Sequence, residues 1–324
     1  MIRKLGRSDI KISAMGMGCW AIGGPFWTGA TPLGWGEVDD SESIRAIQTC
    51  LDMGVNFFDT ASTYGTGHSE RILGQALHNR RNEVVIATKF GPTFDEATRQ
   101  TKEGDASPHG IRRSCEDSLR RLNTDYIDLF QFHFNDHPVS EAGEVRDTLE
   151  SLVKEGKIRT YGWSTDFPDR ARFFAQGPNC SAIQLQMNVI DRNPEVIAIC
   201  EEFDLAAINR GPLAMGLLTG KYSQGATLAE DDVRGTQSPE WMKYFQDGQP
   251  APEWSQKVGA VREILISGGR TLAQGALAWL WARSEKTIPI PGIRTVAQAA
   301  ENCQAIDFGP LSPEQMAEID QILG

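Results

Sequence analysis

The sequence predicts an α/β fold, a (β/α)8 TIM barrel with an N-terminal β-hairpin and long loops over its C-terminal face, on three observations. Short β-branched or aromatic runs alternate with amphipathic stretches of helical length, the pattern of a parallel sheet. There are eight such runs. The 324 residues suit a closed barrel, typically about 250 residues plus insertions, better than an open doubly wound sheet. No linker or low-complexity stretch divides the chain, so one domain over 1–324 is expected.

Residues 3–13, with a turn at Gly6-Arg7-Ser8-Asp9, read as a hairpin ahead of the barrel. The strand runs are 14–18, 55–59, 84–89, 127–133, 160–164, 182–186, 205–209 and 287–290. Helices are expected over 41–53, ending before Gly54, and over 108–122, with Ser107 as N-cap and Pro108 in the first turn. Further helices follow at 144–155, 194–203, 272–283 and 296–305, and Ser312-Pro313-Glu314-Gln315 opens a last one as a capping box. Residues 23–40 and 222–254, rich in Gly, Pro and Trp, are read as loops.

Composition narrows the function. Lys plus Arg number 32 and Asp plus Glu 43, a formal net charge of −11. That balance speaks against nucleic acid as a partner, since phosphate backbones require a basic footprint. No run of about 18 apolar residues is present to span a membrane. Residues 1–7 are basic but lack the apolar stretch of a secretion signal. The six cysteines stand at 19, 50, 115, 180, 200 and 303 with no CxxC pair. They read as reduced core thiols, and a cytoplasmic location is expected.

Two motifs mislead. Gly16-Met17-Gly18-Cys19-Trp20-Ala21 matches the G-x-G-x-x-A dinucleotide fingerprint, and Asp39 and Asp40 follow about 20 residues on. The fingerprint needs a helix directly after the glycines to aim N–H groups at a pyrophosphate. Ile22-Gly23-Gly24-Pro25 cannot start one. His133 and His137 are four apart, but strand precedes them and Pro138 follows, so no helical zinc pair and no metal site is expected. The acidic run Glu230-Asp231-Asp232 reads as a solvated loop.

In such a barrel the chemistry sits where strands end. Strand two ends in Asp59, followed closely by Tyr64; strand three ends in Lys89, strand four in His133 and strand five in Ser164. Ionisable groups that close neighbouring apolar runs should converge on one mouth. A phenol titrates at about 10 and is a poor proton donor or acceptor at neutral pH. An ammonium about 4 Å away, at an effective dielectric of about 20, is worth about 4 kcal/mol, roughly three pKa units. That would bring Tyr64 into working range, while Asp59 keeps Lys89 charged in its apolar strand. His133 then polarises a carbonyl oxygen beside the phenol. The set serves carbonyl reduction or its reverse, with hydride from an external donor.

At these residues the chain resembles the aldo-keto reductase superfamily over nearly its whole length. The likeness rests on Gly54-Val55-Asn56-Phe57-Phe58-Asp59-Thr60-Ala61 with Tyr64-Gly65 and Gly67-His68-Ser69-Glu70, on Ala87-Thr88-Lys89, and on Asp128-Leu129-Phe130-Gln131-Phe132-His133. It implies a catalytic tetrad: Tyr64 as general acid/base, Lys89 and Asp59 as its tuning pair, and His133 as carbonyl orienter. It also implies NADP(H) lying extended across the barrel mouth. Asp59 and Trp20 are counted among its contacts. Of Trp20, Trp27 and Trp35, which could line an aromatic substrate pocket, only Trp20, next to the first strand end, is assigned to the mouth, and the other two read as packing over the barrel end. Ser164 and Thr165 stand where the family has a Ser-Asn pair on the carboxamide, and Gln184 matches the other carboxamide ligand. Arg210-Gly211-Pro212-Leu213-Ala214-Met215, with Lys221, resembles the pyrophosphate loop, Arg210 replacing a common aromatic. Gly292, Arg294, Gln298, Glu301 and Asn302 resemble the adenosine end. A 2′-phosphate asks for a local cation with fork geometry, which Arg294 supplies, so NADP(H) is preferred to NAD(H).

The expected function is therefore an NADP(H)-dependent oxidoreductase acting on a small-molecule aldehyde, ketone or matching alcohol. The alternative is an NADP(H)-binding, redox-sensing regulatory subunit with slow chemistry. A phosphate-binding barrel lyase or isomerase is a third reading. Sugar aldehydes, aromatic aldehydes, polyols and pyridoxal-like compounds stay open as substrates, as does the oligomeric state.

Overall fold

Each of the eight apolar runs forms a strand, and the strands pair parallel in chain order. The computed structural model describes residues 1–222 and 228–324. The strands are β1 Gly16–Gly18, β2 Phe57–Asp59, β3 Val85–Phe90, β4 Ile127–Phe132, β5 Ile158–Ser164, β6 Cys180–Gln186, β7 Ala206–Arg210 and β8 Thr287–Pro289. The chain just beyond β8 closes onto β1: Gly18 N donates to Pro291 O at 2.9 Å and Ile293 N to Gly18 O at 3.3 Å. Gly18 permits that approach, because a Cβ there would lie 2.7 Å from Ile290 O.

Alternation along the strands separates two apolar cores. Phe57, Val85, Ala87, Leu129, Ala182, Ala206, Ile208 and Ile288 form one buried cluster with Leu5, Ile10 and Ile12 of the hairpin. Their neighbours Phe58, Ile86, Phe130, Ile183, Leu185 and Ala207 belong to a second core that includes the helices. The hairpin, Ile2–Lys4 paired with Lys11–Ser13, plugs the N-terminal end of the barrel. Arg7 at its turn donates to Cys180 O at 2.7 Å, Ala175 O at 2.6 Å and Gly177 O at 2.9 Å. The opposite end, where the polar strand-end residues lie, stays open for a site.

Ten helices are described: α1 Asp40–Asp52, α2 His68–Leu77, α3 Pro108–Leu122, α4 Ala142–Lys154, α5 Pro168–Ala175, α6 Pro194–Glu202, α7 Pro252–Ile266, α8 Leu272–Arg283, α9 Val296–Phe308 and α10 Pro313–Leu323. Ser107 caps α3 by accepting from Gly110 N at 3.1 Å, and Ser312 and Gln315 form the capping box of α10. Asp39, placed like a ribose acid in the decoy fingerprint, instead caps α1 by accepting from Glu42 N at 3.1 Å. Helices α2, α5 and α7 depart from the expected series. All three start without a side-chain cap, at Gly67, Phe167 and Ala251, although α5 and α7 carry a proline in the first turn, Pro168 and Pro252, which is itself a start signal. The first turn of α7 takes residues 252–254 from the expected 222–254 loop, of which 223–227 lie outside the described residues. Among the described residues no helix is long and apolar enough to cross a membrane.

Candidate active site

Lys89 on β3 is the centre of the open end, with its side chain wholly buried. Its Nζ donates to Asp59 Oδ1 at 2.5 Å, to Thr60 O at 2.8 Å and to Tyr64 Oη at 3.2 Å. Three acceptors match the three protons of an ammonium. Asp59, the last residue of β2, accepts two more donors on Oδ2: Gln131 Nε2 at 2.9 Å and Gln184 Nε2 at 2.8 Å. Tyr64 lies in the turn after β2, and His133 directly after β4, with ring centroids 6.2 Å apart and planes at 87°. The four residues named from the strand ends thus share one rim.

Burial by itself would discharge Lys89, but Asp59 and then Tyr64 reverse this and hold its pKa above the ordinary lysine value. Tyr64 departs from the expected depression. Burial raises the phenol above its ordinary value and outweighs Lys89, while Asp59 pushes in the same upward direction. The expectation counted the ammonium alone, although Asp59 pairs with that ammonium at 2.5 Å. His133 is held well below the ordinary imidazole range by burial, then by the positive charges of Lys89 and Arg210, so it is neutral at pH 7. Burial and Asp59 push the Cys19 thiol up, away from any thiolate role.

One side of the rim is aromatic. Trp20 stacks on Tyr64 with centroids 5.8 Å apart and planes at 20°; its Nε1 donates to Leu33 O at 2.9 Å. Trp35 meets Trp20 edge-on at 5.3 Å, and Trp241, half-exposed, lies tilted at 6.1 Å. Two long connections meet above this wall: Val233 N donates to Gly34 O at 2.8 Å, and Trp35 bridges Asp232. Arg234 anchors them. It forms a bidentate pair with Asp232 at 2.8 and 2.7 Å, donates to Met215 O at 3.0 Å and lies 4.5 Å over the Trp35 ring. Asp232 is therefore buried and ion-paired, not the solvated residue expected of its acidic run.

The residues expected at a cofactor spread from this rim in two directions. Arg210, ending β7, donates to Gln186 Oε1 at 3.1 Å and pairs with Asp166. After it come Gly211 at φ +60, Pro212, Leu213, and Ala214 and Met215 at φ +47 and +55. A Cβ on Gly211 would lie 2.6 Å from the Gln186 side-chain amide, so this turn requires glycine. Lys221 is exposed beyond. On the other side Gly292 faces open space, and a Cβ there would meet only Ala21 at 3.9 Å. Exposed Arg294 donates from its side chain to Trp35 O at 3.0 Å and from its backbone N to Gln298 Oε1 at 2.9 Å. Glu301 and buried Asn302 follow in α9, with Glu301 O accepting from Gln274 Nε2 at 2.9 Å.

Two expected carboxamide ligands have protein partners. Thr165 Oγ1 donates to Asn135 O at 2.7 Å, which removes its hydroxyl proton from the mouth. Gln184 commits its Nε2 to Asp59 and, at 3.3 Å, to Gln131 Oε1. Gln131, Arg234, Asp166 and Trp241 escaped the sequence reading. Only Gln131 left a signal: it stands two residues before His133, on the same face of β4.

These observations agree with what the chain resembles. The model of the aldo/keto reductase family matches residues 14–324. The aldo-keto reductase YhdN of Bacillus subtilis is 31% identical over 98% of this chain and 91% of its own length. The NADH-specific methylglyoxal reductase of Escherichia coli is 30% identical over 94% and 93%. Among solved structures, the glycerol dehydrogenase AKR11B4 of Gluconobacter oxydans superposes with a TM-score of 0.80 at 30% identity, covering 99% of this chain and 94% of that one. An aldo/keto reductase of Klebsiella pneumoniae, in complex with NADP and acetate, gives 0.69 at 25% identity over 97% and 92%. With eight parallel strands closed into a barrel and a family match over nearly its full length, the chain belongs to the aldo/keto reductase family of oxidoreductases.

Proposed function

We propose that the protein interconverts an aldehyde or ketone and the corresponding alcohol by hydride transfer, with Tyr64 as general acid and base and NADP(H) as redox partner. The observation that carries this reading is the bridge at Lys89, whose Nζ touches both Asp59 Oδ1 at 2.5 Å and Tyr64 Oη at 3.2 Å. A phenol beside a buried, charge-compensated ammonium can give up a proton as negative charge develops on a neighbouring oxygen. The tyrosinate left behind is stabilised only in that state, which is what acceleration requires.

The donor set suits an elongated dinucleotide. Among the described residues, Ser164 Oγ and Gln184 Oε1 have no protein partner and are open to a carboxamide. Backbone from Gly211 to Met215, with exposed Lys221, suits a pyrophosphate. The open space at Gly292, with Arg294, Gln298, Glu301 and Asn302, suits the adenosine end. Arg294 favours a 2′-phosphate, and the similar Klebsiella protein is a complex with NADP. The bound nicotinamide supplies or accepts the hydride.

In the direction of reduction, neutral His133 offers an N–H to the carbonyl oxygen and so orients it. Tyr64 then transfers its phenolic proton to that oxygen, breaking its own O–H bond, as the carbon gains hydride. Lys89 holds the resulting phenolate, Asp59 holds Lys89, and a proton from water restores Tyr64. The wall of Trp20, Trp35 and Trp241 keeps water from one side of the substrate. A multiple-turnover screen over carbonyls and alcohols with NADP(H) and NAD(H) tests the proposal. Repeated consumption of reduced cofactor is expected. Tight cofactor binding without turnover on any carbonyl contradicts it and points to a regulatory subunit.

A further inference from the structure

The buried carboxylate of Asp59 is shared among three donors, and two of them are side-chain amides. Lys89 occupies Oδ1, while Gln131 and Gln184 meet on Oδ2 at 2.9 and 2.8 Å. Gln131 is wholly buried on β4. Its Oε1 accepts from Gln184 Nε2 at 3.3 Å. Both N–H bonds of Gln184 are therefore engaged, one by Asp59 and one by Gln131. A side-chain amide has one donor end and one acceptor end, so fixing Nε2 inward decides which end faces the mouth. Gln184 Oε1 is left without a protein partner among the described residues. Among the described residues, no other side chain is bonded both to Asp59 and to Gln184. Without Gln131, a single hydrogen bond among the described residues, to Asp59, holds the Gln184 amide in this orientation.

We propose that Gln131 is a positioning residue: it holds Asp59 in place for Lys89 and turns Gln184 so that its carbonyl oxygen, not its NH2, meets the carboxamide N–H of the nicotinamide. This rests on the function proposed above. Gln184 then reads the nicotinamide as a hydrogen-bond donor, and Gln131 sets that preference without touching the cofactor.

The test compares binding of NADP⁺ with its 3-acetylpyridine analogue, in which a methyl group replaces the amide NH2. Binding is read by quenching of tryptophan fluorescence in the full chain. The wild type is expected to prefer NADP⁺ roughly three- to tenfold, the worth of one hydrogen bond. Gln131→Met keeps the side-chain length but removes both amide functions. It should bring the ratio close to one, because the freed Gln184 can donate to the acetyl oxygen. Gln184→Met should abolish the preference, and adding Gln131→Met to it should change the ratio no further. Turnover gives a second readout: Gln131→Met should lower kcat about tenfold with KM for the carbonyl within about twofold. If Gln131→Met fails to fold, Gln131→Asn, one methylene too short to span both bonds, should show the same loss of preference. An unchanged preference in a folded Gln131 variant overturns the proposal. The binding ratio is independent of turnover, so a wild type that shows the preference yet reduces no carbonyl refutes the hydride-transfer reading alone. A wild type that binds neither dinucleotide refutes both.

Discussion

Replacing Lys89 by methionine removes one charge at nearly constant volume. At 3.2 Å from Tyr64 Oη and an effective dielectric of about 20, the ammonium stabilises a phenolate by about 5 kcal/mol, nearly four decades in rate. Asp59, 2.5 Å from the same nitrogen, cancels part of this, so a fall in kcat of roughly two to three decades is expected. The variant also leaves Asp59 buried without its cation, at a cost to stability of about 3–5 kcal/mol. Lys89→Met with Asp59→Asn removes that unpaired charge. The double variant should melt closer to the wild type yet stay as inactive as the single one, separating folding from chemistry. The assay is single-turnover loss of reduced-cofactor absorbance with a carbonyl that the wild type reduces, alongside fluorescence titration of cofactor affinity. A Lys89→Met variant that keeps its rate within about tenfold would refute the claim that Tyr64 depends on a neighbouring cation.

Three further results are expected. His133 is depressed in the folded state, so below about pH 6.5 the unfolded chain binds a proton that the folded chain does not. The stability it contributes is present above that pH and lost on acidification, and His133→Phe should flatten this part of a melting-temperature profile; equal slopes contradict the assignment. Tyr64 is raised above its ordinary value, so carbonyl reduction should show no alkaline fall below about pH 9, and a limb near neutral pH argues against this phenol as the acid. Arg294→Ala should weaken binding of the 2′-phosphorylated cofactor about tenfold or more and leave the unphosphorylated form nearly unchanged, measured by fluorescence titration; equal loss for both refutes a phosphate role.

The barrel was readable because parallel strands buried on both faces leave apolar runs that stand out from their surroundings. Asp59, Lys89 and His133 were readable for the complementary reason: each is an ionisable group closing such a run, where hydrophobic packing alone does not place one. Helix α2 opens at Gly67 with no capping side chain, whereas α5 and α7 were legible in principle, since Pro168 and Pro252 mark their first turns. The direction of the Tyr64 shift was missed because a sequence gives neither burial nor the distance at which Asp59 neutralises Lys89. Arg234 and Asp232 form an adjacent-looking charged pair in a Gly-rich segment, and only packing against Trp35 and Tyr222 makes them internal. Trp241 reaches the rim through a connection whose path no local pattern encodes. Gln131 was accessible in principle, since the period-two alternation of β4 puts it on the face of His133.

The central claim is that the Tyr64 hydroxyl, and not merely its ring, carries the proton. Single-turnover measurement of Tyr64→Phe beside the wild type tests this most directly. The stacking on Trp20 survives that change, so cofactor affinity should stay within about twofold while the hydride-transfer rate falls by at least roughly two decades. An unaltered rate with unaltered affinity contradicts the account.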